Sequence, residues 1–157
     1  MATYIEVTPR EFLDSIDRLA PWKRTMLTSF TEAGLKVYGV RCYLDRATRS
    51  QGFGISDTNE LVCLHSNRGE QGQDLIRAAV VRGGRWGTCF DGYLSNLYCD
   101  NGFAIICLMG WKDEYAPVGW LYEVYGRPKV VEIRLTSAGL RWHQTGLSEG
   151  HGYRVGE

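Results

Sequence analysis

Two consecutive strand-then-helix units constrain the fold of this chain more than any other feature. Apolar strand patterns cover residues 60–66 and 86–90, and each is followed by a segment with helical spacing, the second of them residues 91–101. A further apolar strand pattern covers residues 103–109. Because a crossover helix joins strands that run in the same direction, we expect the strands 60–66 and 86–90 to be parallel.

Alternating patterns predict further strands at residues 4–7, 36–44, 51–56 and 129–135. The three predicted strands from 36 to 66 are joined by short polar turns, which is typical of an antiparallel meander. Thr8, Pro9 and Glu11 form a capping-box pattern that starts a first helix, and a second helical piece over 22–30 is expected to end by Gly34. The predicted class is α/β, with a central six- to seven-stranded mixed sheet flanked by helices.

The length of 157 residues suits one hydrophobic core, and we assign residues 1–135 to a single domain. Residues 136–157 contain five glycines and few large aliphatic side chains, so we expect a loosely ordered tail there.

The charge balance limits the classes of partner. The chain has eighteen Lys and Arg residues and eighteen Asp and Glu residues, so its net charge is zero and bulk nucleic-acid or membrane-surface binding is disfavoured. The chain has no apolar run of membrane-spanning length and no signal-peptide pattern, and we expect a cytoplasmic protein. The five cysteines form no C-x-x-C pair and the three histidines are scattered, which indicates reduced thiols and no metal site.

Residues 91–103 (DGYLSNLYCDNGF) resemble the fourth helix of the GNAT superfamily of acyl-CoA-dependent N-acyltransferases. Leu97, Tyr98, Gly102 and Phe103 stand at that family's spacing, whereas Asp91 replaces the usual Asn and position 94 carries Leu in place of a small residue. The order of predicted elements over residues 35–135 is also similar to that fold. The segment 111–128 is similar to small phage-encoded members.

The loop 67–72 (NRGEQG) is similar to the family's phosphate loop, Gln/Arg-x-x-Gly-x-Gly/Ala, but only its last glycine matches, and Glu70 stands where a glycine is expected. The resemblance implies acetyl-CoA as co-substrate, with no metal. Strand, glycine loop and helix also aim backbone N–H groups at an anion. The candidate cofactor-binding residues are Asn67, Arg68, Gly69, Glu70, Gln71, Gly72, Gln73 and Asp91.

Acyl transfer from a thioester needs an acid near the departing thiolate, and the resemblance assigns that role to Tyr98. A tyrosine whose ring simply packs in the core is the alternative. The candidate bases are Glu60, His65 and Asp57, each of which has a solvated, capping or hydrogen-bonded alternative.

The aromatic loop 111–125 is where we expect an amine acceptor, with Trp111 and Tyr115 as substrate candidates. Its aromatic rings and carboxylates suit a cationic amine on a small molecule, a peptide or a modified base. The alternative is that the rings fold back on the sheet.

Two functions of different classes therefore stay open. One is an N-acetyltransferase, which the Tyr98 helix favours. The other is a degenerate, inactive GNAT-like binding or assembly module, for example a phage protein that binds a host or virion partner, which Glu70 favours. An unrelated α/β binding protein is a third possibility, and a protein partner or a homodimer fits any of them.

Overall fold

The computed structural model describes residues 3–66 and 72–145. The chain divides into two compact units, the first ending at Gly84 and the second beginning at Arg85. Within the described parts no helix is both long and apolar enough to cross a membrane.

Over its described residues, 3–66 and 72–84, the first unit combines a four-stranded antiparallel sheet with four helices. The strands lie in the order β1-β2-β3-β4. In chain order the elements are β1 (Tyr4–Val7), α1 (Pro9–Asp17), α2 (Pro21–Thr25), α3 (Glu32–Val37), β2 (Arg41–Asp45), β3 (Gln51–Ile55), β4 (Glu60–Ser66) and α4 (Gly72–Val81).

Helices cover both faces of this sheet, which explains why all five residues of β3 are buried. On one face, Phe12 of α1 and Leu35 of α3 pack with Cys42 and Leu44 of β2. On the other face, the rings of Tyr43 and Phe53 stack, and Arg82, which directly follows α4, lies above the Tyr43 ring. The helix α4 contributes buried side chains, those of Leu75, Ile76, Ala79 and Val80.

The start of α1 confirms the predicted capping box. The Glu11 backbone N–H donates to the Thr8 hydroxyl, and the Glu11 carboxylate accepts from the Thr8 backbone N–H. Because the box satisfies amides that the helix itself leaves free, it fixes where the helix begins.

The structure corrects the prediction for residues 30–40. Gly34 does not end a helix but lies inside α3, where its N–H donates to the hydroxyl of the N-cap residue Thr31. The strand expected from residue 36 begins at Arg41, after a turn in which Gly39 has φ +61°. The Thr-x-x-Gly cap therefore decides the local structure, and the apparent alternation after Leu35 belongs to the end of a helix.

The second unit has a three-stranded antiparallel sheet in the order β5-β7-β6. Its elements are β5 (Trp86–Phe90), α5 (Tyr93–Asp100), β6 (Phe103–Met109), a 3₁₀ turn (Asp113–Tyr115), α6 (Tyr122–Tyr125), β7 (Val130–Leu135) and α7 (Ser137–Thr145). β7 lies in the middle, and its residues Val131 and Ile133 are fully buried.

The expected loose tail is corrected for residues 137–145, which form α7. The Thr136 hydroxyl caps this helix by accepting from the Gly139 N–H, and Trp142 and His143 are buried. Residues 146–157 lie outside the described part of the chain. Aromatic side chains and a close glycine contact hold α7 in place. The prediction of a loose tail considered only large aliphatic side chains and therefore missed this helix.

That glycine contact joins α7 to the turn between α5 and β6. Gly102 has φ +90°, and a Cβ atom on Gly139 would lie 2.2 Å from the Gly102 carbonyl oxygen. The Thr136 N–H and hydroxyl both donate to the same oxygen. Only glycine at both positions allows the two backbones to come this close.

The α/β class with seven strands and flanking helices is therefore confirmed, since the described residues of the first unit form four strands and those of the second form three. The parallel orientation of β4 and β5 stays a prediction.

We expect Gly139→Ala to destabilise the fold by about 1–3 kcal/mol or more, because the added methyl group meets backbone atoms that have no rotamer to move into. The matched control is Gly110→Ala, whose added Cβ would meet nothing within 4 Å. Urea denaturation of both variants measures the difference. Equal midpoints for Gly139→Ala and Gly110→Ala would contradict the close contact.

Candidate active site

An irregularity in β4 is the main feature of the first unit that the sequence does not reveal. Gly52 pairs with His65 and Gly54 pairs with Val62, so Phe53 alone stands opposite both Cys63 and Leu64. Cys63 has φ +53°, in the left-handed region that non-glycine residues rarely adopt. Such a bulge interrupts the hydrogen-bond ladder and is common beside active sites.

His65 lies in the core of the first unit and is 5% exposed. Its Nδ1 lies 2.8 Å from the Cys63 carbonyl oxygen, and its Nε2 lies 2.9 Å from the Ser15 hydroxyl. A carbonyl only accepts, so Nδ1 carries the proton and Nε2 accepts from Ser15. Burial lowers the pKa of His65 to about 4.

The structure thereby corrects the expectation that His65 faces the substrate as a base. Both ring nitrogens have partners inside the protein, and the ring packs edge-on against Phe12. A neutral imidazole in this position joins α1 to β4 and has no lone pair available for an amine.

Glu60 and Asp57 flank the turn that leads into β4. The backbone N–H of Glu60 donates to the Ser56 hydroxyl at 3.1 Å, which fixes the first residue of the strand. The Glu60 side chain is half-buried, whereas Asp57 is exposed. A partly shielded carboxylate on a well-fixed strand suits a general base better than a solvated one.

The predicted phosphate loop is described only at its two ends. Asn67, Arg68, Gly69, Glu70 and Gln71 lie outside the described residues, while Gly72 and Gln73 form the first turn of α4.

Ser66, the last residue of β4, is fixed firmly just before the loop. Its hydroxyl donates to the side chain of Gln51 at 3.1 Å, and its carbonyl accepts from the Lys23 ammonium at 3.0 Å. The end of β4 that leads into the loop therefore has a defined position.

Tyr98 lies on α5 in the second unit and is 5% exposed. Its ring meets Phe103, the first residue of β6, edge-to-face with centroids 5.1 Å apart. Between the two rings the chain reverses through Gly102 in the left-handed region. The Tyr-x-x-x-Gly-Phe spacing is thus a local structural unit that holds the phenol in one orientation.

Asp91, the first residue of the predicted helical segment 91–101, lies just before the helix of Tyr98. The N-cap residue is Gly92, and the Ser95 hydroxyl donates to the Asp91 carboxylate at 2.9 Å while accepting from the Gly92 N–H. Asp91 therefore orders the start of α5 through Ser95, and its carboxylate is exposed.

The loop after β6 is organised by aromatic rings. Trp111 and Trp120 each pack against Phe90 at the end of β5, and against each other with centroids 5.1 Å apart. The Trp111 indole N–H and the Arg127 guanidinium both donate to Asp113, and these hydrogen bonds lower the pKa of the Asp113 carboxyl.

The two predicted substrate residues differ in setting. Trp111 belongs to this ring cluster and is half-buried, whereas Tyr115 is 79% exposed. Phe90, at the end of β5, was not a sequence candidate although it supports both tryptophans. The one sequence signal that could have identified Phe90 is its position directly before Asp91, a candidate cofactor-binding residue.

The thiols are free in all five cysteines. Burial raises the pKa of Cys42 to about 11 and those of Cys63 and Cys89 to about 12, so these three thiols are protonated and unreactive at neutral pH. Over residues 3–66 and 72–145, no three His, Cys, Asp or Glu side chains come together as a metal-binding group.

Comparisons with known proteins add one structural likeness. No protein-family model matches the chain, and no curated protein matches it. A crystal structure of a protein from Klebsiella pneumoniae subsp. pneumoniae MGH 78578, provisionally described as an acyl-CoA N-acyltransferase, is 20% identical, with a TM-score of 0.49, over 87% of this chain and 99% of that one. At that level of similarity the likeness carries no argument about activity.

We expect the stability of the protein to fall as the pH drops from about 6.5 to 4. The unfolded chain protonates His65 near pH 6.5, whereas the folded chain resists protonation down to about pH 4. The unfolded state therefore binds more protons in this window, and the lost stability is about 3 kcal/mol.

Urea denaturation across this pH range measures the effect in the wild type, His65→Gln and Ser15→Ala. His65→Gln should lower stability at pH 7 but flatten its pH dependence. Ser15→Ala, which keeps the imidazole, should lower stability and keep the slope. An unchanged slope in His65→Gln would assign the pH dependence to other groups.

Proposed function

We propose that this protein is an N-acyltransferase that transfers an acetyl group from acetyl-CoA to a primary amine. The observation that carries the proposal is the bulge of β4 at Cys63, a strained backbone position in the strand that leads to the loop 67–71. A bulge withdraws backbone groups from the ladder, and a freed N–H is a donor that can hold a thioester carbonyl. Backbone strain of this kind clusters at functional sites.

The proposed reaction forms one bond and breaks one bond. The neutral amine attacks the carbonyl carbon of the thioester, the new C–N bond forms, and the C–S bond breaks with its electron pair on sulfur. The Tyr98 hydroxyl protonates that thiolate, and Glu60 accepts the proton that the amine loses. No metal takes part in this scheme.

The proposed donor site uses the start of α4. A helix N-terminus carries unpaired N–H groups and about half a positive charge, so it attracts the pyrophosphate of CoA. Gly72 and Gln73 open this helix. Residues 67–71 and Asp91 are further proposed cofactor-binding residues.

The proposed acceptor site is the aromatic loop 111–125. Trp111 offers a ring face held by Phe90, and Tyr115 offers an exposed ring. Asp113 is already paired with Arg127, so the exposed Glu114 and Glu123 are better placed to attract a cationic amine. The proposed acceptors are amines on a small molecule, a peptide or a modified base. Five free thiols suit the cytoplasm as the place of this reaction.

The second candidate function is an inactive binding or assembly module with the same architecture, which a phage could use against a host or virion partner. The observation that favours it is the core position of His65, which removes one of the three candidate bases. Binding of CoA and turnover separate the two functions.

We expect CoA to bind and to stabilise the folded protein. A ligand present at 100 times its dissociation constant raises the free energy of unfolding by about 2.7 kcal/mol. A thermal-shift titration with CoA, with adenosine as a control that lacks the pyrophosphate and the thiol arm, measures this effect. Absence of any shift at millimolar CoA would remove the enzyme hypothesis and leave the binding module.

We expect Tyr98→Phe to lower turnover by roughly one to three decades, because only the acid is lost while the ring still packs on Phe103. Folding and CoA affinity should be nearly unchanged. Tyr93→Phe on the same helix, where the side chain is 73% exposed, is the matched control and should retain full activity. Release of free thiol from acetyl-CoA measures the rates. Equal rates for Tyr98→Phe and the wild type would assign Tyr98 to packing alone.

A further inference from the structure

Two buried polar residues of the second unit, Asn101 and His143, take no part in the proposed reaction. Asn101 directly follows α5, the helix that carries Tyr98, and His143 lies in the last turn of α7. Their side chains are almost fully buried, with 4% and 3% exposed. Burying a polar group is costly unless it forms hydrogen bonds, so the partners of these two residues indicate what they do.

His143 joins α7 to the end of α5. Its Nε2 lies 2.7 Å from the carbonyl oxygen of Asn101, which is 42 residues earlier in the chain. Because a carbonyl only accepts, Nε2 carries the proton and donates it. This hydrogen bond therefore fixes the residue that ends α5 to a helix distant in the sequence.

Asn101 connects His143 to the turn of α5 that holds Tyr98. Its side-chain N–H donates to the Leu97 carbonyl at 2.7 Å, and its backbone N–H donates to the Tyr98 carbonyl at 3.0 Å. The last carbonyl groups of a helix lack partners within the regular helical pattern. Here two of them accept from the residue that His143 holds, so the last turn of α5 is tied to α7.

The backbone position of this turn sets where the Tyr98 hydroxyl lies. The Tyr98 ring is buried and meets Phe103 edge-to-face. Close packing in a protein interior leaves a buried ring little freedom to move independently of its backbone. A misplacement of about 1 Å in a reacting group lowers a rate by roughly 10²-fold.

We propose that His143 is a positioning residue, which acts through Asn101 to hold the Tyr98 hydroxyl where it protonates the departing thiolate. The inference rests on the proposed function, in which Tyr98 is the acid. His143 itself transfers no proton, because its Nε2–H is held by the Asn101 carbonyl. Its contribution is to the orientation of the acid.

The variant His143→Phe tests the proposal in kinetics, because it keeps an aromatic ring and removes the N–H donor. It should lower kcat roughly tenfold or more and leave the KM for acetyl-CoA unchanged. His143→Gln, which keeps an N–H donor, should recover part of the loss. Thr31→Ala, which removes the hydrogen bond that caps α3 in the first unit, is the matched control for lost stability and should retain full activity.

A double-mutant cycle separates positioning of Tyr98 from general stabilisation. In the Tyr98→Phe background no acid remains to be positioned, so adding His143→Phe should lower kcat no further. The same additional loss of kcat in that background as in the wild type would overturn the proposal. A His143→Phe variant that is as active as the wild type would also overturn it.

Nuclear magnetic resonance of protein labelled with isotopic tyrosine reports the ring position without any acceptor. The Tyr98 ring signal, identified by its loss in Tyr98→Phe, should move in His143→Phe. Asn101→Ala, which removes the bond to Leu97, should move it too and serves if His143→Phe does not fold. An unmoved signal in the folded variants would overturn the proposal. A wild type that acetylates no amine would refute the proposed function, and the ring signal would then still decide whether His143 positions Tyr98.

Discussion

The contact between the backbones of Gly102 and Gly139 is the constraint on which the second unit depends. It fixes the turn that separates α5 from β6, and it brings α7 against that turn. Once the turn is fixed, Phe103 begins β6 and supports the Tyr98 ring from one side. The position of Tyr98, the residue proposed as the acid, and the start of β6 thus depend on one close approach that allows no Cβ atom.

The first unit has central strands that are buried on both faces, so polar groups inside it need hydrogen-bond partners within the protein. His65 is neutral and forms hydrogen bonds that join α1 to β4, and it is therefore unavailable for chemistry. The bulge at Cys63 lies two residues earlier in the same strand. A rigid, hydrogen-bonded core next to a strained backbone position is a good setting for preorganised donors, since the surrounding structure bears the strain.

Local signals in the sequence predicted much of this architecture. The capping box at Thr8 and the strands 60–66, 86–90 and 103–109 have the predicted bounds because their patterns are short-range. The prediction for residues 30–40 failed at a local cap, that of Thr31 on α3, and two others failed where a long-range contact decides the structure. The helix α7 depends on packing against Gly102, and the burial of His65 depends on Ser15, fifty residues away in the chain. The bulge at Cys63 could not be predicted, because the residue with positive φ is not a glycine.

The central claim is that the chain catalyses acyl transfer to an amine. The most direct measurement incubates the protein with acetyl-CoA and a panel of polyamines, aminoglycosides and lysine peptides, and follows both thiol release and the mass of each amine. The account predicts that at least one amine gains one acetyl group for each thiol released. Thiol release that is the same with and without amines, together with unmodified amines throughout the panel, would contradict it.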